Sequence, residues 1–209
     1  MKTIVCFGDS NTWGADPIGG GRFDINTRWT GVLANTLGPD YRVIEEGLNG
    51  RTTVVDDILS PNRNGLEYLK PCIDSHHPFD LITIMLGTND LKARLNRSAT
   101  DIAESASLLA ETVKATSWGP NGTRPEVLII CPPLVEGLTG LADMFIGAEE
   151  KSAKMPALYE YFSHWSNSAF LDAGQFIKSS PADGIHFEAA EHAKLGKAVA
   201  EKIRSILEG

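Results

Sequence analysis

Short apolar runs rich in β-branched residues, separated by longer stretches of helical period, constrain this chain more than any other feature. The runs are Thr3–Phe7, Tyr41–Ile44, Leu81–Leu86, Val127–Cys131 and Ala169–Leu171, each closed at once or within three residues by Gly, Pro, Asn or Asp. Near-continuous apolar segments of this length are what strands buried on both faces of a parallel sheet require. Between them, Ile102, Ala106, Leu109 and Val113 step by four, three and four, and Leu195, Val199, Ile203 and Ile206 by four, four and three. Each set lines one face of a helix. Strand alternating with helix predicts an α/β chain whose parallel sheet carries helices on both faces, and five strands suit a flavodoxin-like order.

At 209 residues, with no repeat, low-complexity tract or linker, the chain reads as a single domain over 1–209. Two regions depart from the alternation. Asp16–Thr27 reads as a loop, and Pro132–Gly147 runs irregularly towards a helix over Glu149–Trp165 that Pro156 is expected to interrupt.

Charge and cysteine content narrow the function. Nineteen Lys plus Arg against twenty-seven Asp plus Glu leave a net charge of −8, which argues against nucleic acid and against an anionic membrane as partner. No apolar run reaches the 18 residues of a membrane span. The apolar stretch Ile4–Phe7 is too short for a secretion signal, and Cys6, Cys72 and Cys131 form no CxxC pair. A cytoplasmic location is the expectation.

In doubly wound sheets ligands sit beyond the carboxyl ends of the strands. Three strand ends carry unusual polar sequence: Gly8-Asp9-Ser10-Asn11-Thr12, Gly47-Leu48-Asn49-Gly50 and Gly87-Thr88-Asn89-Asp90. Ser10, with Gly8 allowing a sharp turn before it, is either an exposed nucleophile or a helix cap. Asp183-Gly184-Ile185-His186 can set a carboxylate against Nδ1 of an imidazole, fixing its tautomer so that Nε2 accepts a proton; the plainer alternative is a turn before a helix. Asn89 can offer an amide N–H to an oxyanion or simply make a turn, and Gly50 can offer a backbone N–H or serve a positive φ.

Taken in order, these blocks resemble the SGNH (GDSL-type) hydrolase family. The longer stretches Cys6–Gly14, Arg28–Leu33, Val43–Thr53, Met85–Asp90 and Asp183–Phe187 resemble its arylesterase/acyltransferase branch. The resemblance implies a three-layer α/β/α fold and a serine esterase acting on small aryl or alkyl esters, with acyl transfer to a second alcohol as a further activity. It implies Ser10 as nucleophile, His186 as general base and acid, and Asp183 as its orienter. The oxyanion hole would comprise the Ser10 and Gly50 backbone N–H groups and the Asn89 side chain. No cofactor and no metal is implied, and a homo-oligomer is. The loops 16–27 and 134–147 would shape the pocket.

Other residues carry weaker signals. Trp13 and Trp29 are candidates for the mouth of the site or for packing. His76-His77, near Asp74 and Asp80, reads as a solvated helix end rather than a metal site, while His164 and His192 lack ligand-spaced partners. Cys6 reads as inert packing and Asp9 as a turn anchor. Two rival readings remain. One is a phosphate-binding module built on Gly8–Gly14; the other is a metal-dependent phosphoesterase using Asp9, Asn89, Asp90 and His186.

Overall fold

A computed structural model describes all residues from Met1 to Gly209. Five strands, β1 (Lys2–Gly8), β2 (Tyr41–Gly47), β3 (Leu81–Met85), β4 (Glu126–Cys131) and β5 (Ala169–Asp172), form one parallel sheet. Their order is β2-β1-β3-β4-β5, the flavodoxin-like arrangement. Six helices connect them: α1 (Ser10–Trp13), α2 (Trp29–Leu37), α3 (Gly65–His76), α4 (Ala99–Lys114), α5 (Ala148–Trp165) and α6 (Ala189–Leu207).

The period-2 alternation of the strands divides the core in two. Val5 and Phe7 of β1, Ile82 and Ile84 of β3, and Val127 and Ile129 of β4 face α3, α4 and α5. Ile4 and Cys6, Leu81 and Met85, and Leu128 and Ile130 face α2 and α6. Since both faces are covered, the central strands must be apolar throughout, which is why they read as continuous runs. The edge strand β2 differs. It is half-buried and extends through Glu45 and Glu46 to Gly47, three residues beyond its apolar run, because both carboxylates find partners. Glu45 pairs with Arg28 and Arg22, and Glu46 with His76.

Pro156 does not interrupt α5, contrary to the sequence expectation. Met155, Tyr159 and Phe162 are buried on either side of it, and the Tyr159 hydroxyl donates to the Leu86 carbonyl at 2.8 Å. That anchoring offsets the roughly 3 kcal/mol that an interior proline costs a helix. Residues 16–27 and 132–147 are irregular, as expected. No helix is long and apolar enough to cross a membrane.

Candidate active site

All five strands run the same way, so the segments that follow them gather at one rim. The first is the turn into α1. Asp9 caps this helix, its carboxylate accepting the Asn11 N–H at 2.9 Å, and Gly14 closes it in the left-handed region. Ser10 is therefore the first residue of a one-turn helix whose early N–H groups have no intrahelical acceptor. Gly8 is required here for space rather than for a positive φ. A Cβ at that position would lie 2.0 Å from Thr12 Oγ1 and 2.9 Å from the Met85 carbonyl.

The second segment follows β5. The Asp183 carboxylate accepts the backbone N–H groups of Ile185 and His186, both at 2.9 Å, and so winds the Asp-Gly-Ile-His turn around itself. Its other oxygen lies 2.7 Å from His186 Nδ1, and His186 Nε2 lies 2.9 Å from Ser10 Oγ. An ionised carboxylate only accepts hydrogen bonds, so Nδ1 carries the ring proton and Nε2 is left to accept from the serine hydroxyl. Burial works to raise the Asp183 pKa. The hydrogen bonds from the His186 ring and the two backbone N–H groups outweigh it and hold the carboxyl below its ordinary value. Asn11 Nδ2 donates to the Ile185 carbonyl at 3.3 Å and ties the two turns together.

The third and fourth segments complete the rim. Asn89 Nδ2 donates to Asp9 Oδ2 at 3.4 Å, which orients the amide beside Ser10. Gly50 stands at φ +80° and its N–H has no acceptor within the protein, so positive φ and a free backbone donor coexist at this glycine. Ser10, Gly50, Asn89, Asp183 and His186 all line one cleft of about 500 Å³. Loop residues Ala15, Asp16 and Pro17 wall it on one side, and Leu141, Met144 and Phe145 on the other.

The remaining candidates separate cleanly. Trp13 lines the cleft, with the Arg22 guanidinium 5.1 Å above its ring. Trp29 does not: it starts α2, is fully buried, and packs against α6. His192 is buried as well, its Nδ1 accepting the Trp29 N–H at 3.2 Å, and burial, with His186 and Arg28 nearby, pulls its pKa down to about 4. Cys6 is fully buried, and burial pushes its thiol up to about 12. Asp90 is fully buried, its carboxylate accepting the Thr53 N–H and hydroxyl, and burial raises it to about 6.

His76 ends α3 and bonds Glu46 at 2.6 Å, while His77 stacks on Trp118. Asp74 pairs with Lys70. The only three metal-ligating side chains gathered within 4.8 Å of one another are Glu46, Cys72 and His76, away from the cleft. Arg51 sits beside this trio; Glu46 and Cys72 are the groups that most raise its pKa against a larger lowering by burial.

Sequence reasoning did not find Lys92, which lines the cleft and is held by the buried Asp57 carboxylate at 3.0 Å. Hydrogen bonding by Arg94, then by Lys92, keeps Asp57 well below the ordinary carboxylate range. The only sequence signal for Lys92 is its place three residues after Asn89.

The GDSL-like lipase/acylhydrolase family model matches residues 6–194. The aryl esterase of M. smegmatis is 41% identical, covers 99% of this chain and 100% of its own, and superposes with a TM-score of 0.94. A carbohydrate acetylesterase family member from Sinorhizobium meliloti is 38% identical over all of both chains, also with a TM-score of 0.94. A lipolytic G-D-S-L family protein of Veillonella parvula, at 16% identity and a TM-score of 0.69, shares the fold. No curated protein matches. With a family model spanning most of its length and the fold to go with it, the chain belongs to the GDSL-like lipase/acylhydrolase (SGNH) family and is a carboxylic ester hydrolase of the serine type.

Proposed function

We propose that this chain hydrolyses small aryl and alkyl carboxylic esters by two-step acyl transfer through Ser10. His186 Nε2 takes the Ser10 proton as Oγ attacks the ester carbonyl. Asp183 keeps the imidazole in the required tautomer and favours the imidazolium that forms. The oxyanion is received by the backbone N–H groups of Ser10 and Gly50 and by the Asn89 amide. The imidazolium then protonates the leaving alcohol or phenol, and a water activated by the same ring releases the acid. When a second alcohol reaches the acyl-enzyme before water, the product is a new ester.

The observation that carries this reading is the unbroken contact from Ser10 Oγ to His186 Nε2 and from Nδ1 to Asp183, beside an N–H group with no acceptor. The names of the aryl esterase and acetylesterase neighbours support small acyl groups and an aryl leaving group. Support for a homo-oligomer comes from Ile58 and Leu59, 89% and 73% exposed side by side between β2 and α3. A second copy of the chain would cover them.

The test is a fluorophosphonate followed by peptide mass spectrometry, alongside release of p-nitrophenol from its acetate ester. One adduct, on Ser10, together with turnover of the ester is expected. An adduct elsewhere, or a fully active enzyme with none, refutes the reading.

A further inference from the structure

The oxyanion donors assigned above differ in how firmly they are held. The Ser10 N–H belongs to a helix, and the Asn89 amide is held by Asp9. The Gly50 N–H belongs to the central peptide of a four-residue turn, Leu48 to Arg51, closed by the Arg51 N–H on the Leu48 carbonyl at 3.1 Å. With φ +80° at its third position, the turn has the geometry of type II. Types I and II differ by a half-turn of that central peptide, and a glycine at the third position is compatible with both. Nothing within the turn stops the Asn49–Gly50 peptide from flipping and carrying its N–H away from the cleft.

Two arginine side chains oppose the flip, Arg63 from outside the turn and Arg51 from its last position. Arg63 Nε donates to the Asn49 carbonyl at 2.8 Å, and its own backbone is held by the Thr52 N–H on the Arg63 carbonyl at 2.9 Å. In a trans peptide the C=O and N–H point in opposite directions. Holding the Asn49 oxygen on the Arg63 side therefore fixes the Gly50 N–H on the other. Arg51 anchors the ends of the same turn. Its guanidinium donates to the Gly8 carbonyl at 2.8 Å and to the Glu46 carbonyl, and packs against the rings of Phe7 at 4.1 Å and Tyr68 at 5.0 Å. The Gly8 carbonyl also receives the Leu48 N–H at 3.1 Å, so one oxygen joins the Gly50 turn to the Ser10 turn.

We infer that Arg63 is a positioning residue of the reaction, latching the Asn49–Gly50 peptide so that the Gly50 N–H stays in the oxyanion hole, on a turn that Arg51 anchors. The inference rests on the proposed role of Gly50. Arg63 touches neither substrate nor reacting atoms. It removes the entropy of a two-state peptide before the transition state forms.

The experiment compares Arg63→Met, which keeps the aliphatic stem and loses the donor, with Arg63→Lys, which keeps a charged donor. Active sites are titrated with the fluorophosphonate, so that kcat is expressed per competent Ser10. A boronic acid inhibitor, whose tetrahedral adduct places an oxygen in the hole, reads donor geometry directly. Arg63→Met is expected to lose about 10–100-fold in kcat, part of the ~10²–10³ that a complete donor supplies. KM should stay within about threefold, boronate affinity should fall by a factor similar to that in kcat, and Arg63→Lys should recover most of both. Unchanged kcat per site and unchanged boronate affinity in Arg63→Met overturn the inference. So does a loss confined to melting temperature or to the fraction of titratable sites. Absence of a Ser10 adduct in the unaltered protein would instead sink the reading of the site itself. Arg51→Lys, which loses the planar guanidinium packed against the Phe7 and Tyr68 rings, should show the same pattern with an added loss of thermal stability.

Discussion

The Asp9 carboxylate accepts a hydrogen bond from Asn89 Nδ2 at 3.4 Å, joining the turn after β1 to the turn after β3. Burial pushes the Asp9 pKa up to about 6, even though the Asn11 N–H, His186 and Arg51 all work to lower it. An ionised acid is thus kept in an unfavourable place, where it holds the Asn89 amide beside Ser10.

Asp9→Asn separates the two consequences. An acid raised from 3.8 to about 6 holds, in that window, a proton that the unfolded chain has released. Its ionisation therefore costs stability as pH rises from about 4 through 6, on the order of 2–3 kcal/mol once complete. Asn caps α1 as well as Asp does. The variant should melt higher than the unaltered protein at pH 7 and equally at pH 4, while kcat falls about tenfold. A lower melting temperature at pH 7 would assign Asp9 to stability alone.

Asn89→Ala should lower kcat by ~10²–10³ with little change in KM, because the amide is asked to act only on the charged intermediate. Steady-state kinetics on an aryl acetate decide it.

Asp183→Asn leaves a group of the same shape but presents the wrong partner to His186 Nδ1. The expected loss is up to ~10⁴ in kcat, as in other Ser-His-Asp sites. Ser10→Ala should fold normally and release no burst of p-nitrophenol. An effect of Asp183→Asn on KM alone would make Asp183 a binding residue.

His192 gives a pH dependence of stability. Its pKa falls from 6.5 unfolded to about 4 folded, so between those values the unfolded chain binds the extra proton and stability is lost as pH falls. The loss amounts to about 3 kcal/mol. His192→Asn can still accept the Trp29 N–H and does not titrate. Urea denaturation from pH 7 to pH 4 should show the unaltered protein losing stability relative to the variant. A pH-independent difference between the two would contradict the assignment.

Light scattering after size exclusion should give a mass above that of one 22.6 kDa chain. Ile58→Asp with Leu59→Lys should reduce it to the monomer. A monomer throughout would remove the oligomer from the account.

Chemistry that depends on one short stretch was legible in the chain. Ser10 after β1, the Asp183–His186 turn and Asn89 each belong to a local turn whose residue types announce it, and the apolar runs announced strands buried on both faces. Trp29 was ambiguous because a tryptophan within a family-like stretch can face the cleft or the core. The packing of α2 against α6 turned it inward. Pro156 misled because a backbone rule gives a cost, while buried Met155, Tyr159 and Phe162 supply the larger opposing term. Arg63 left no trace, since nothing in the twelve residues between it and Gly50 says that its side chain returns to the Asn49 carbonyl.

The order of residues sufficed for the layered α/β architecture, the covered sheet and the choice of candidate reacting groups, because these follow from periodicity and side-chain chemistry a few residues at a time. Folding settled which of those groups touch. Ser10 and His186 are 176 positions apart and meet at 2.9 Å. They do so because parallel strands deliver their carboxyl ends to one rim, and because two apolar layers hold the helices that fix where each turn points.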